Sequence, residues 1–223
     1  MKTLPRLLVL LFSATSGLAY SETAPTDAPT TPATFWKASV TAETNKDYAT
    51  AIRQLTGFQQ AGGDPFLFNL RAGWLCYLAH DYKNAGDRYN EAARLQPSAI
   101  TPLLGLLNVA QARADATEIR KAVEAVLRVD PINYTAQMAG ATLQFKAQNY
   151  REALSYYRRV LHYYPDDLPA LSGEAWSLYH QGQANLATAD FQILLSVDPD
   201  YPEARQGLDL TQGKTTAQLT ENP

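Results

Sequence analysis

The sequence predicts an all-α protein in which pairs of helices stack into an α-solenoid. Three sets of residues recur every 34 positions, with no insertion or deletion between them. The first set is a column of prolines: Pro97, Pro131, Pro165 and Pro199. The second is a column of alanines: Ala51, Ala85, Ala153 and Ala187. The third is mainly aromatic: Leu55, Tyr89, Val123, Tyr157 and Phe191. A fixed period of about 20 to 50 residues is typical of a repeat array.

The repeating part of the chain divides into five windows of equal length: 32–65, 66–99, 100–133, 134–167 and 168–201. Each window contains two helical patterns of about a dozen residues and a short turn, and such helices are stable only when packed against neighbours. In the second window the predicted helices cover residues 68–79 and 83–95. A last helix, within residues 202–211, begins at Pro202, which suits the first turn of a helix. We expect this helix to cap the array.

Two windows show the repeated pattern most clearly. The second has Asp81-Tyr82-Lys83-Asn84-Ala85, followed by Tyr89, Ala92 and Pro97. The fourth has Asn149-Tyr150-Arg151-Glu152-Ala153-Leu154-Ser155-Tyr156-Tyr157 and ends at Pro165. This pattern resembles the tetratricopeptide repeat family over residues 32–201. The resemblance implies about five helix-turn-helix repeats with a C-terminal capping helix.

The third window departs from the pattern. Leu107 and Ile119 stand where the other windows have small residues, and Ala116 stands where tyrosine is usual. Small residues at these positions let two helix axes approach closely. We therefore expect the two helices of the third window to be splayed.

The N-terminus has the pattern of a secretory signal peptide. Lys2 and Arg6 precede a short apolar run, Leu7 to Phe12, which small residues follow. The prediction is a signal peptide over residues 1–21, a Pro/Thr-rich linker over 22–31 and a disordered tail over 212–223. The apolar run is shorter than the ~20 residues that span a bilayer, so no stable membrane insertion is expected after cleavage. The predicted location is the periplasm, or outside the cell, of a Gram-negative bacterium.

Composition argues against nucleic acid binding and against catalysis. Removing residues 1–21 leaves 17 basic residues (19 minus Lys2 and Arg6) and 22 acidic ones, a net charge of −5. Nucleic acid binding requires a basic face. The three histidines lie singly in different windows, whereas a metal site needs clustered ligands. No catalytic motif is found, no cofactor is expected, and Cys76 is expected to be buried.

The resemblance also implies a binding surface. In the family, the first helices of successive repeats line a concave groove, and all three tryptophans fall on groove positions. The predicted groove residues are Trp36, Leu70, Trp74, Tyr77, Asn108, Gln111, Met138, Phe145, Lys146, Trp176, Tyr179 and His180. Exposed aromatic side chains in such a set indicate an interaction site. The alternative is that these rings pack against one another or against the C-terminal segment.

The pattern favours a non-enzymatic scaffold or adaptor that binds a protein or peptide segment in this groove. The resemblance suggests a role in envelope assembly, secretion or polysaccharide export. Glycan binding is the alternative, with Trp74 and Trp176 stacking on sugar rings and the polar Asn108 and Gln111 between them. A second aromatic group, at Tyr163 and Tyr164, is expected to pack at the junction with the fifth window.

Overall fold

The computed structural model describes residues 31–214, which form eleven α-helices and no β-strand. The predicted signal peptide, nearly all of the predicted linker and the chain after Lys214 lie outside these residues. The helices are α1 (Pro32–Thr44), α2 (Tyr48–Gln60), α3 (Pro65–Leu78), α4 (Tyr82–Leu95), α5 (Ile100–Ala112), α6 (Ala116–Val129), α7 (Tyr134–Lys146), α8 (Tyr150–Tyr163), α9 (Leu168–His180), α10 (Ala184–Val197) and α11 (Pro202–Thr211).

The helices pack in sequence order as five pairs, α1/α2 to α9/α10. Each pair packs on the next, and α11 covers the end of the array by packing on α9 and α10. The predicted α-solenoid of five repeats with a capping helix is therefore confirmed. No helix within residues 31–214 combines the length and the apolar content needed to cross a membrane.

Aspartates in the turns cap the second helices of the first three repeats. The carboxylates of Asp47, Asp81 and Asp115 lie 34 residues apart and accept hydrogen bonds from backbone N–H groups of α2, α4 and α6 at 3.0–3.2 Å. These are N-caps, which satisfy donors that the first turn of a helix leaves free. Asp167 caps α9 in the same way, with the Ala170 N–H 2.7 Å from its carboxylate.

One residue in each turn inside a repeat has a left-handed backbone conformation, with a positive φ. Lys46, His80, Ala114 and Gln148 have φ between 52° and 62°, and Gly182 takes the same position in the fifth repeat with φ of 76°. Side chains with a Cβ adopt this conformation at a cost of about 1–2 kcal/mol. Only the fifth repeat avoids that cost, because it has glycine there.

Aromatic rings join successive repeats. Tyr157, which is 7% exposed, lies so close to Gly173 that a Cβ on that glycine would be 2.2 Å from the ring. The same relation, 16 residues apart, joins Tyr89 to Gly105 and Phe191 to Gly207. The third column therefore fills the space between repeats, as predicted. Where that column lacks a ring, at Leu55 and Val123, the residue 16 positions later is Arg71 or Ala139 rather than glycine.

The two residues that break the repeat pattern lie in the core of the α5/α6 pair. Leu107 is fully buried, and Ile119 packs against the same apolar cluster together with Val123 and Val126. The extra bulk is thus accommodated in this core. The splaying of the two helices stays a prediction.

Tyr163 and Tyr164 lie where α8 ends and the fifth repeat begins. Both are exposed, at 52% and 44%, and Tyr164 packs edge-on to Tyr134 with ring centroids 5.5 Å apart. Tyr164 is the C-cap residue of α8, and its carbonyl accepts a hydrogen bond from the backbone N–H of Asp167, the N-cap of α9, at 3.1 Å. The Tyr134 hydroxyl lies within hydrogen-bonding reach of the same Asp167. These rings therefore lie at the junction with the fifth repeat, as predicted, although both stay exposed.

Candidate binding groove

The first helices of the N-terminal three repeats enclose a surface pocket of about 380 Å³. We call it the Trp74 pocket. It is lined by Trp36, Leu67, Leu70, Arg71, Trp74, Tyr89, Thr101, Leu104, Gly105 and Asn108. All but one of these residues lie on α1, α3 or α5, and Tyr89 reaches the pocket from α4 across Gly105. The pocket therefore lies on the face that the predicted groove residues occupy.

A network of hydrogen bonds between α1 and α3 holds the side chains on one side of the pocket. The indole N–H of Trp74 donates to one carboxylate oxygen of Glu43 at 2.7 Å, and the Arg71 guanidinium donates to the other at 2.8 Å. Arg71 also donates to the Ser39 hydroxyl at 3.1 Å and stacks over the Trp36 ring at 5.1 Å. The Arg71 and Glu43 side chains are 12% and 24% exposed, so the pair is shielded from water on most sides.

The Trp74 ring stays partly exposed to solvent within this network. Its side chain is 40% exposed, and its ring stacks on Tyr77 with centroids 5.9 Å apart and planes inclined by 18°. Since Glu43 and Arg71 neutralise each other, the pocket offers rings and aliphatic side chains. An aromatic ring held in place loses little entropy when a ligand packs against it.

A second group of rings lies at the C-terminal end of the same row of helices. This C-terminal aromatic cluster consists of Phe145, Tyr150, Trp176, Tyr179 and His180. The His180 ring stacks on Tyr150 at 4.4 Å, and Phe145 meets both rings edge-on at 5.3–5.7 Å. Trp176 packs edge-on against the fully buried Phe191 at 5.3 Å.

Burial shifts the pKa of one residue at each place: His180 in the C-terminal aromatic cluster and Tyr89 in the Trp74 pocket. Burial lowers the pKa of His180, so its imidazole is neutral at pH 7. Burial, with smaller contributions from Tyr77 and Cys76, raises the pKa of Tyr89 to about 12. Among the predicted groove residues only Lys146, which is exposed, carries a charge.

Comparison with known proteins identifies the family. The family model described as tetratricopeptide repeat matches residues 104–167 and 138–202. The chain is a tetratricopeptide repeat protein. A curated relative, the CTR9 homolog of Arabidopsis thaliana, is 28% identical over 123 residues, which is 55% of this chain and 11% of that protein. The chain thus spans about a tenth of the length of that relative.

Solved structures show the same tetratricopeptide fold. A tetratricopeptide repeat protein from Parabacteroides merdae superposes with a TM-score of 0.72 at 17% identity, covering 85% of this chain and 77% of that one. PilF of Pseudomonas aeruginosa gives 0.64 at 17% identity, with coverage of 80% and 81%. YrrB, described as having an unusual peptide-binding site, gives 0.59 at 22% identity, with coverage of 70% and 77%.

The tetratricopeptide structure divides the predicted groove residues into three groups. Trp36, Leu70, Trp74 and Asn108 line the Trp74 pocket, and Tyr77 stacks on its outer ring. Phe145, Trp176, Tyr179 and His180 form most of the C-terminal aromatic cluster. The others belong to neither group: Met138 packs on the α7/α8 core, while Gln111 and Lys146 are exposed.

The three tryptophans do not form one exposed set. Trp36 and Trp176 are half-buried and pack against the core rings Phe58 and Phe191, with centroids 5.2 and 5.3 Å apart. Each of these two rings therefore uses part of its surface for internal packing. Trp74 is the most exposed of the three tryptophans, at 40%.

Sequence reasoning missed two residues that shape the pocket. Arg71 was not recognised because its partners Glu43 and Trp36 lie on a different helix, 28 and 35 residues earlier, and no local pattern connects them. Gly105 did have a signal. It stands 16 residues after Tyr89, the separation that joins ring and glycine at the other repeat boundaries. Among residues 31–214, no group of three or more His, Cys, Asp or Glu side chains is arranged to hold a metal ion.

Proposed function

We propose that this tetratricopeptide repeat protein is a non-enzymatic scaffold or adaptor that captures an extended or helical segment of a partner protein. The Trp74 pocket carries this proposal. It is apolar and open to solvent, and its exposed ring is held by a shielded ion pair. Exposed aromatic surface with fixed geometry is characteristic of the sites that dominate protein–protein binding.

The shape and chemistry of the pocket favour a peptide anchored by one large apolar side chain. A space of about 380 Å³ admits such a side chain with part of its backbone. Leu70, Leu104 and Trp74 supply apolar contacts, while the Asn108 amide both donates and accepts hydrogen bonds and so matches a peptide backbone. The fold similarity to YrrB, whose description names a peptide-binding site, supports the same class of ligand.

We further propose that the protein is exported and acts in the cell envelope, in assembly, secretion or polysaccharide export. The signal peptide pattern over residues 1–21 supports export. N-terminal sequencing of the protein from an envelope fraction is expected to begin near Tyr20 or Glu22. A protein that retains Met1 and stays in the cytoplasm would refute this part of the proposal.

Intrinsic fluorescence tests the ligand class. We expect peptides with an aromatic or large aliphatic residue to change tryptophan emission in the wild-type protein and to change it much less in Trp74→Phe, because Trp74 is the more exposed of the two indoles that line the pocket. The matched control is Trp176→Phe, in which the response should persist. A response to oligosaccharides alone would support glycan binding instead. A peptide response that disappears in Trp176→Phe would move the site to the C-terminal aromatic cluster.

A further inference from the structure

A pocket of about 470 Å³ opens between α7, α8 and the turn that precedes α7. We call it the Arg159 pocket. It is lined by residues 131–132 of the turn, Gln137 of α7, and Arg158, Arg159, His162 and Tyr163 of α8. The acidic residue of the turn, Asp130, is hydrogen-bonded within the turn and does not line the pocket. The Arg159 pocket has no lining residue in common with the Trp74 pocket, so it is a separate candidate site.

Gln137 brings a buried hydrogen-bond acceptor to this pocket. The residue is 3% exposed, and its side-chain amide nitrogen donates to the Pro131 carbonyl at 2.7 Å. That bond fixes which way the amide points, because a carbonyl oxygen only accepts. The Gln137 Oε1 atom is buried and accepts a hydrogen bond from no residue between 31 and 214. Since a buried acceptor without a donor is unfavourable, a ligand that brings an O–H or N–H group to Oε1 gains affinity.

The second repeat shows how such an acceptor is satisfied from within the protein. Asn69 of α3 has the same repeat position as Gln137, is 5% exposed, and donates to the Pro65 carbonyl at 2.9 Å. Its Oδ1 atom accepts a hydrogen bond from the Arg88 guanidinium at 3.3 Å. The repeat position of Arg88 is taken by Tyr156 in α8. The fourth repeat therefore lacks the arginine that occupies the acceptor in the second.

Two arginines place positive charge at the same pocket. Arg158 donates from Nε to the Glu174 carboxylate at 2.7 Å, which leaves its terminal N–H groups as donors. Arg159 stacks over the Tyr156 ring at 5.6 Å and forms no ion pair within residues 31–214. At the repeat position of Arg159 the other second helices have no basic residue. An arginine without a carboxylate partner is a suitable donor for the oxygens of an anion.

We infer that the Arg159 pocket binds a small hydroxy-carboxylate, whose carboxylate pairs with Arg159 and whose neighbouring hydroxyl donates to Gln137 Oε1. A simple anion satisfies the arginine but not the acceptor, and a neutral sugar does the reverse. An ammonium donor, as in an amino acid, is disfavoured because both arginines repel it.

Size and apolar surface favour an organic acid over an inorganic ion. The pocket volume of about 470 Å³ lies in the range of small-molecule sites, ~300–1,000 Å³. Ile132 and Tyr163, which are 49% and 52% exposed, line the same pocket and offer apolar surface to a carbon skeleton. A bare oxyanion makes no use of these two side chains.

A titration of the purified protein at pH 7, followed by two-dimensional ¹H–¹⁵N NMR, tests this site with two carboxylates of similar size. Glucuronate carries hydroxyls beside its carboxylate, and cyclohexanecarboxylate carries none. We expect glucuronate to bind more tightly, to shift the amide signals of Ile132, Gln137 and Tyr163, and to leave the indole signal of Trp74 unchanged. In Gln137→Leu the preference for glucuronate should fall by about tenfold, because the acceptor is gone. Leucine has this repeat position in α5 and α9, so the variant should fold.

The charge is tested by Arg159→Glu, which introduces the residue that α4 has at this repeat position. It should weaken glucuronate binding by about 30-fold or more. The matched control is Arg120→Glu, an identical change of charge at an exposed residue of α6 outside the pocket, which should bind as the wild type does. Circular dichroism checks that all three variants fold.

Three results would overturn the inference. The first is a wild type whose amide signals do not move at about 20 mM glucuronate. The second is a preference for glucuronate that Gln137→Leu retains in full, or binding that Arg159→Glu leaves unchanged. The third is phosphate or sulfate binding as tightly as glucuronate, which would show a site for inorganic anions instead.

Discussion

Replacing Gly173 by alanine should destabilise the protein, although the same change usually stabilises a helix. An added Cβ would lie 2.2–2.5 Å from three carbons of the Tyr157 ring, whereas ordinary carbon contacts begin near 3.4 Å. The ring must therefore retreat by about 1 Å. Because Tyr157 is 7% exposed, that movement pushes into a packed core. Overpacking of this kind costs about 1–3 kcal/mol.

Gly86 provides the matched control. It lies inside α4, and a Cβ there would have one neighbour, a methyl carbon of Val109 at 4.0 Å. Gly86→Ala should thus show the ordinary helix effect, a gain of about 0.5–1 kcal/mol. Thermal melts should move in opposite directions for the two variants, by about 2–4 °C per kcal/mol for a chain of this size. Equal melting temperatures would refute the account of how rings join the repeats.

A double variant separates this packing effect from a general loss of helix stability. Tyr157→Val/Gly173→Ala recreates the pair found at Val123 and Ala139. The alanine should then be tolerated, because the ring that it would strike is gone. The free energy lost in the double variant is expected to be less than the sum of the two single losses by about 1 kcal/mol or more. Additive losses would count against a direct ring–glycine contact.

Four further outcomes are expected elsewhere in the chain. Ala114→Gly should stabilise the protein by about 0.5–1 kcal/mol and raise its melting temperature, because φ is 52° at Ala114. A lower melting temperature would show that the turn is not strained. Burial, then the charge of Glu174, raises the pKa of Asp190 to about 6, so its stabilising contribution is present near pH 4 and is lost as the pH rises through 6. Asp190→Asn should therefore be more stable than wild type at pH 7.5, with a difference that shrinks towards pH 4; a difference independent of pH would contradict the shift. The Cys76 thiol is 7% exposed and burial raises its pKa, so a thiol reagent should modify it only after unfolding, and fast modification of the native protein would show that α3 opens readily. Hydrogen exchange should be faster over residues 100–133 than in the second and fourth repeats, because Leu107 and Ile119 bring bulk where the other pairs have small residues; equal protection would contradict this.

The fold followed from the sequence because the 34-residue register is unbroken. The alanine and ring columns mark packing contacts that recur from repeat to repeat. The 34-residue period therefore predicts where each helix pair lies. The unusual bulk in the core of the third pair was predictable for the same reason, since Leu107 departs from a column whose role is known. The caps at Asp47, Asp81 and Asp115 stand in a column of their own with the same 34-residue spacing, so the starts of these helices follow the register as well.

The site was less predictable because position in the repeat does not determine exposure. Trp74 and Trp176 occupy the same position of their windows, yet Trp74 is 40% exposed whereas Trp176 is half-buried. The residue that holds Trp74 is Glu43, an acceptor for its indole N–H, and the corresponding position before Trp176 is Phe145. Without that acceptor, the Trp176 ring packs on Phe191. This difference depends on a contact between helices, which a pattern within one window does not contain.

The most direct test of the central claim is the affinity of a selected peptide for the wild type and for Trp74→Ala. Peptides are first selected from a displayed library against the purified protein, and calorimetry then measures binding. The account predicts peptides that share an aromatic or large aliphatic residue. It also predicts that Trp74→Ala weakens them by about 30-fold or more, while the protein stays folded and loses less stability than the ~3–5 kcal/mol of a core tryptophan, because the ring is 40% exposed. Val129→Ala, at a residue 39% exposed outside the pocket, should bind as the wild type does. Selected peptides that bind Trp74→Ala with unchanged affinity would contradict the account.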